Sequence, residues 1–111
     1  MEPGWRGQNI HPILKRHLGQ LEKHMSFALT ITSGYRHEDE NREVGGVEDS
    51  EHTYDPAEGV DVLCKRSTTR FKMVKFLLDN GITRIGIGKD FVHIGIGADK
   101  PQLVMWDYYH E

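Results

Sequence analysis

The chain has a single cysteine, Cys64, among 111 residues, so no internal disulfide can form. Cys64 ends the run Gly59-Val60-Asp61-Val62-Leu63-Cys64 and reads as a small buried strand residue, with a thiolate ligand or nucleophile as the rival. No apolar run approaches the ~20 residues of a membrane span, so no membrane insertion is expected. The opening residues Met1-Glu2-Pro3-Gly4-Trp5-Arg6 lack the apolar centre of a secretory signal. Synthesis in the cytoplasm is the expectation, with any action outside the cell following release. Positive charge is not in excess either. Fourteen Lys and Arg against seventeen Asp and Glu leave a net charge of −3. That argues against a nucleic-acid binder working by phosphate neutralisation, and against strong attraction to anionic membranes or wall polymers. Repeats, low-complexity tracts and linkers are absent, so residues 1–111 read as one domain with a loose lead-in over 1–9.

What is present alternates between helical and strand periodicity. Ile10, Leu14, Leu18, Leu21 and Met25 recur at three- or four-residue steps behind Pro12, which suits a first helical turn. They predict a helix over about 11–25. Phe27 to Thr32 and Gly59 to Cys64 read as strands. Between them lies a polar, acidic segment of about 37–58, read as a solvated loop, and a connection that long in a small domain is usually functional. Ser67, Thr68 and Thr69 are candidate N-caps of a second helix with Phe71, Val74, Leu77 and Leu78 as its apolar stripe. Asn80-Gly81 stops it. Ile82–Ile87 and Phe91–Ile96 form a hairpin around Gly88-Lys89-Asp90, and a last strand covers Gln102–Trp106. The fold class is α+β: two helices on one face of a small antiparallel sheet, the other face free for a polar site.

Histidine is plentiful, with seven residues, and two of them fall in telling places. Within Ser50-Glu51-His52-Thr53-Tyr54-Asp55-Pro56-Ala57-Glu58-Gly59-Val60-Asp61, a loop histidine precedes a strand aspartate by nine positions. Zinc accepts imidazole nitrogen and carboxylate oxygen, and a catalytic site takes three protein ligands. His93 is the candidate third. If Val60 and Val62 face the core, Asp61 faces the free side, and His93 joins it if Val92 and Ile94 are core residues. Asp90 falls nominally on the core side, but at a turn where alternation fails it can reach back as a base for a zinc-bound water. Arg36, after the turn Ser33-Gly34-Tyr35, can hold a carboxylate or an oxyanion. Trp106, Tyr108 and Tyr109 either line a groove or, more simply, pack the core and a sticky terminus.

Ser33-Gly34-Tyr35-Arg36, Asn41, Val44-Gly45-Gly46, Ser50-Glu51-His52, Asp61 and Phe91-Val92-His93 occur in the order of a peptidase family. Over roughly residues 10–106 the chain resembles the D-alanyl-D-alanine carboxypeptidase family of zinc peptidases, a hedgehog-like group that includes phage endolysins. The resemblance implies zinc held by His52, Asp61 and His93, substrate contacts from Arg36 and Ser50, and Asp90 in the place of a catalytic base. It implies hydrolysis of an amide bond in bacterial peptidoglycan peptides; the charge balance speaks against a nucleic-acid partner, and a monomer is expected. The chain departs from the family pattern in two ways. The aspartate usually stands seven after the histidine, where this sequence has Gly59. Asp61 is therefore the carboxylate ligand expected, with Asp55 as fallback. Many members also carry an aspartate two after the last histidine, where this chain has Gly95. The alternative function is a catalytically inactive, zinc-stabilised module that binds cell-wall peptide or serves in a phage particle.

Overall fold

Leu14, Leu18 and Leu21 form one stripe of the first helix and are fully buried, facing a sheet whose inner residues are Val60, Val62, Ile85, Val92 and Ile94. The computed structural model describes residues 4–45 and 50–109. Helix α1 spans Pro12–Met25, with Pro12 in its first turn as expected. Strand β1 (Ile31–Ser33), helix α2 (Glu38–Glu43), strand β2 (Gly59–Leu63) and helix α3 (Ser67–Asp79) follow. Then come β3 (Arg84–Ile87), β4 (Phe91–Gly95) and β5 (Val104–Asp107). The class is α+β, with α1 and α3 in contact over one side of a five-stranded sheet of order β1-β2-β4-β3-β5.

Several expectations are corrected. The sheet is mixed rather than antiparallel, because β5 runs parallel to β3 at its edge. The polar segment is not all loop: a histidine cap and three acidic residues in the first turn support the short helix α2. Gly46, Glu48 and Asp49 lie outside the described residues. Helix α3 starts after Arg66 without a side-chain cap, so none of Ser67, Thr68 and Thr69 acts as one. Its buried face is Met73 and Leu77, while Phe71 is 71% and Leu78 51% exposed. The lead-in is anchored as well. Gly4–Gly7 is a 3-10 turn whose Trp5 is buried in the core, with Ile10 beside it. Ile10 also bridges Ala57 in parallel fashion, Ala57 N–H donates to Asn9 O, and His11 N–H donates to Ala57 O. The residues around Asp55-Pro56 that lengthen the loop thus pair with the N-terminal segment.

Strand alternation positions the site. Val60, Val62 and Cys64 are buried on the helix side, which turns Asp61 outward. On β4, Val92 and Ile94 do the same for His93. Antiparallel pairing sets Asp61 directly opposite His93, and Gly86 of β3 flanks His93 on its other side.

Candidate metal centre

His52 lies on a 3-10 turn, Glu51–Thr53, stabilised at its start by Ser50, whose Oγ accepts from the His52 N–H at 3.2 Å. The chain leaving β1 grips this turn. Gly34 O lies 2.8 Å from His52 Nδ1, and Arg36 N–H donates to His52 O at 2.8 Å. With Nδ1 engaged by a carbonyl, which only an N–H can satisfy, the proton sits on Nδ1 and the bare Nε2 is left facing the cluster. Nε2 stands 3.3 Å from Asp61 Oδ1.

The second imidazole is held in the same manner with its nitrogens exchanged. His93 Nε2 lies 3.0 Å from Glu51 Oε1, and Nδ1 lies 2.9 Å from Asp61 Oδ1. One nitrogen of each histidine therefore converges with one carboxylate oxygen. The donor atoms of His52, Asp61 and His93 all lie within 4.8 Å of one another. Two imidazoles and a carboxylate, each imidazole oriented from behind, form a donor set that suits zinc. Among the described residues no fourth histidine, cysteine or carboxylate joins the group.

The electrostatics follow from crowding. Burial would raise the Asp61 carboxyl, but the flanking His52 and His93 imidazoles outweigh it and bring it down to about 2. Burial likewise opposes ionisation of Glu51, yet His93, Arg84 and the Gly97 N–H lower it to about 2. Burial would lower His93, and the flanking Asp61 and Glu51 instead raise it. A cation held at Nδ1 would compete with a proton there.

The other predicted residues are distributed around this cluster. Asp55 does not compete with Asp61, because it is exposed and accepts from Asn9 Nδ2 at 2.7 Å. Arg36 is half-buried, and its Nε is buried without a hydrogen-bond partner. Ser50 caps the His52 turn, and its hydroxyl keeps a donor to offer. Asp90 is exposed and not drawn to the cluster. Alternation does not fail there: Cys64 N–H donates to Asp90 O at 2.7 Å and extends the β2–β4 ladder past the Leu63–Phe91 pair. Asp90 therefore remains about 10 Å along the strand from His93. Cys64 is buried on the helix side, away from the metal donors.

Sequence reasoning missed Glu51 and left Trp106 and Tyr108 between a groove and the core. Glu51 reads from the sequence as one of the acidic residues of a solvated loop, although a buried carboxylate behind a ligand histidine is a recurrent arrangement. Trp106 and Tyr108 belong to the site face rather than the core. A side chain at Gly86 would meet the Trp106 indole at 2.7 Å and the Tyr108 ring at 2.9 Å. Trp106 lies 5.5 Å from the His93 ring, and Tyr108 lies 5.1 Å from Phe91, centroid to centroid. Burial raises the Tyr108 hydroxyl's pKa despite a hydrogen bond with Trp106, and Asp61 adds to the rise. A cleft of about 540 Å³ near Phe71, Leu78 and Met105 lies on the helix side, but Asp79 is its only carboxylate and it holds no such donor set.

The peptidase M15 family model matches residues 3–95. The chain belongs to the peptidase M15 family. This is the zinc D-alanyl-D-alanine carboxypeptidase-like family that the motifs resemble. No curated protein matches the chain. M15 peptidases are zinc enzymes, and His52, Asp61 and His93 are the possible metal site of this M15 chain. The match ends at Gly95, so Trp106 and Tyr108 reach the site from beyond the matched span.

Proposed function

We propose that this M15 chain is a zinc-dependent peptidase that hydrolyses an amide bond in bacterial peptidoglycan peptides, as an endolysin or D,D-carboxypeptidase does. The observation that carries the reading is the convergence of His52 Nε2, His93 Nδ1 and Asp61 Oδ1, with no fourth histidine, cysteine or carboxylate in the group among the described residues. A structural zinc site is closed by four protein ligands, whereas a hydrolytic one leaves a position open. That disfavours the inactive module. Zinc, when bound, makes water a nucleophile near neutral pH and polarises the scissile carbonyl.

The chain's own residues supply orientation and charge. His52 and His93 are fixed from behind by Gly34 O and Glu51, so their donor nitrogens need no reorganisation. In this reading Arg36 offers its guanidinium to the carbonyl oxygen as negative charge develops, or to a terminal carboxylate of the substrate. Ser50 directs its remaining O–H at the peptide backbone. Tyr108, a neutral phenol, adds a further O–H on the same face. Asp90 takes no direct part in the conformation described, because proton transfer needs hydrogen-bond reach. The protein acts on the wall after release from the cell, or from a phage particle, as a monomer.

Two measurements on one preparation test the reading: zinc content, and the mass of peptides released from purified cell walls. One zinc per chain with amide cleavage lost in His93→Ala is expected. Cleavage that survives His93→Ala refutes it.

A further inference from the structure

Among the described residues, Glu51 is the one buried carboxylate on the site face that does not point at the cluster. Its oxygens are fully engaged. Oε1 lies 3.0 Å from His93 Nε2 and accepts from Arg84 Nη2 at 3.2 Å. Oε2 accepts from Arg84 Nε at 3.0 Å and from the Gly97 N–H at 2.8 Å. The chain has also cleared the space around it. A Cβ at Gly59 would stand 2.7 Å from Glu51 Cβ, and one at Gly97 would stand 2.8 Å from Oε2. A Cβ at Gly95 would overlap the carboxylate itself. A pair serving only the fold would need Arg84 alone. The additional contact with His93 lies one imidazole ring away from a metal-donor nitrogen.

We infer that Glu51 is the positioning residue of the metal centre: it fixes His93 with the proton on Nε2 and Nδ1 toward the metal, from a place that a side chain at position 95 would otherwise occupy. The inference rests on the zinc reading above. Arg84 neutralises the buried carboxylate, so that Glu51 accepts from His93 rather than taking its proton. Position 95 follows His93 by two residues and shares its face of β4. A carboxylate carried there would fill the same space and meet the same ring. Glu51 and residue 95 are thus alternative sources of one group, and this chain uses the former with glycine at the latter.

The test is zinc affinity, measured by chelator competition on the full chain, with folding checked by circular dichroism. Glu51→Ala is expected to bind zinc about 10–100-fold more weakly, the usual loss for an outer-shell partner. The double variant Glu51→Ala with Gly95→Asp is expected to recover at least half of that loss on a logarithmic scale. Affinity of Glu51→Ala within threefold of wild type overturns the inference, as does a folded double variant no better than the single one. If Glu51→Ala does not fold, nitrogen NMR of the zinc-loaded wild type decides: a proton on His93 Nε2 supports the inference, and a proton on Nδ1 overturns it. A wild-type chain that takes up no zinc defeats the underlying reading instead, so the two failures are distinct.

Discussion

Asp61 Oδ1 and His93 Nδ1 lie 2.9 Å apart because residues 61 and 93 are direct partners across β2 and β4. The pairing register, rather than a flexible loop, sets the spacing between two of the three metal donors. His52 arrives from a separate turn, but it too is fixed, by Gly34 O behind the ring and by the Arg36 N–H on its own carbonyl.

That register decides between the two candidate carboxylates. Asp61→Ala should abolish stoichiometric zinc uptake, measured by inductively coupled plasma mass spectrometry on desalted protein. Asp55→Ala removes only an exposed bond to Asn9 and should keep zinc at one per chain. Equal zinc content in both variants would contradict the assignment.

Arg36 and Asp90 should separate in kinetics. Arg36→Ala is predicted to lower kcat by about 10²–10³-fold, the usual cost of losing an oxyanion donor, with zinc content unchanged. Asp90→Asn should stay within about threefold of wild type, because its carboxylate stands at the outer end of β4. A loss of a hundredfold in Asp90→Asn would mean that the turn closes over the site.

Much of this was legible in the sequence. Asp61 and His93 were placed by the alternation of Val60, Val62, Val92 and Ile94, which leaves strands little freedom over which face each residue takes. Helix α1 followed from leucine spacing. Trp5 was not legible, since a single aromatic carries no periodicity and its burial depends on how the N-terminus returns across α1. The parallel edge of β5 was hidden for the same reason, because pairing direction is a property of the connection rather than the strand. Asp90 is hard to place from sequence because turns usually break alternation, and here a ladder bond carries regular pairing one residue further. Glu51 escaped notice because sequence gives no sign that Arg84, 33 residues later, would neutralise it.

Trp5 offers a test of the anchored N-terminus. Trp5→Ala should destabilise the protein by about 3–5 kcal/mol, as for other buried tryptophans. Thermal melts in chelator, which remove any contribution from metal, should show a Tm fall of more than about 10 °C. A shift of a degree or two would mean that residues 4–10 are slack after all.

Acid sensitivity has a traceable source at Glu22. Burial would raise this carboxyl, but the Leu29 N–H, Arg6 and Trp5 hold it below its ordinary value of 4.5. A depressed folded-state pKa adds stability above the unfolded value and loses it as pH falls further. Wild type should therefore exceed Glu22→Gln by about 1 kcal/mol above pH 5, and the gap should close below pH 4. Urea melts across that range check the sign; a gap that widens in acid contradicts it.

Zinc K-edge absorption spectroscopy on the purified chain tests the central claim most directly. The account predicts one zinc per chain with two imidazole nitrogens at about 2.0–2.1 Å, carboxylate oxygen at about 2.0–2.2 Å and no sulfur. A shell with sulfur at about 2.3 Å, or a chain that takes up no zinc, would contradict it.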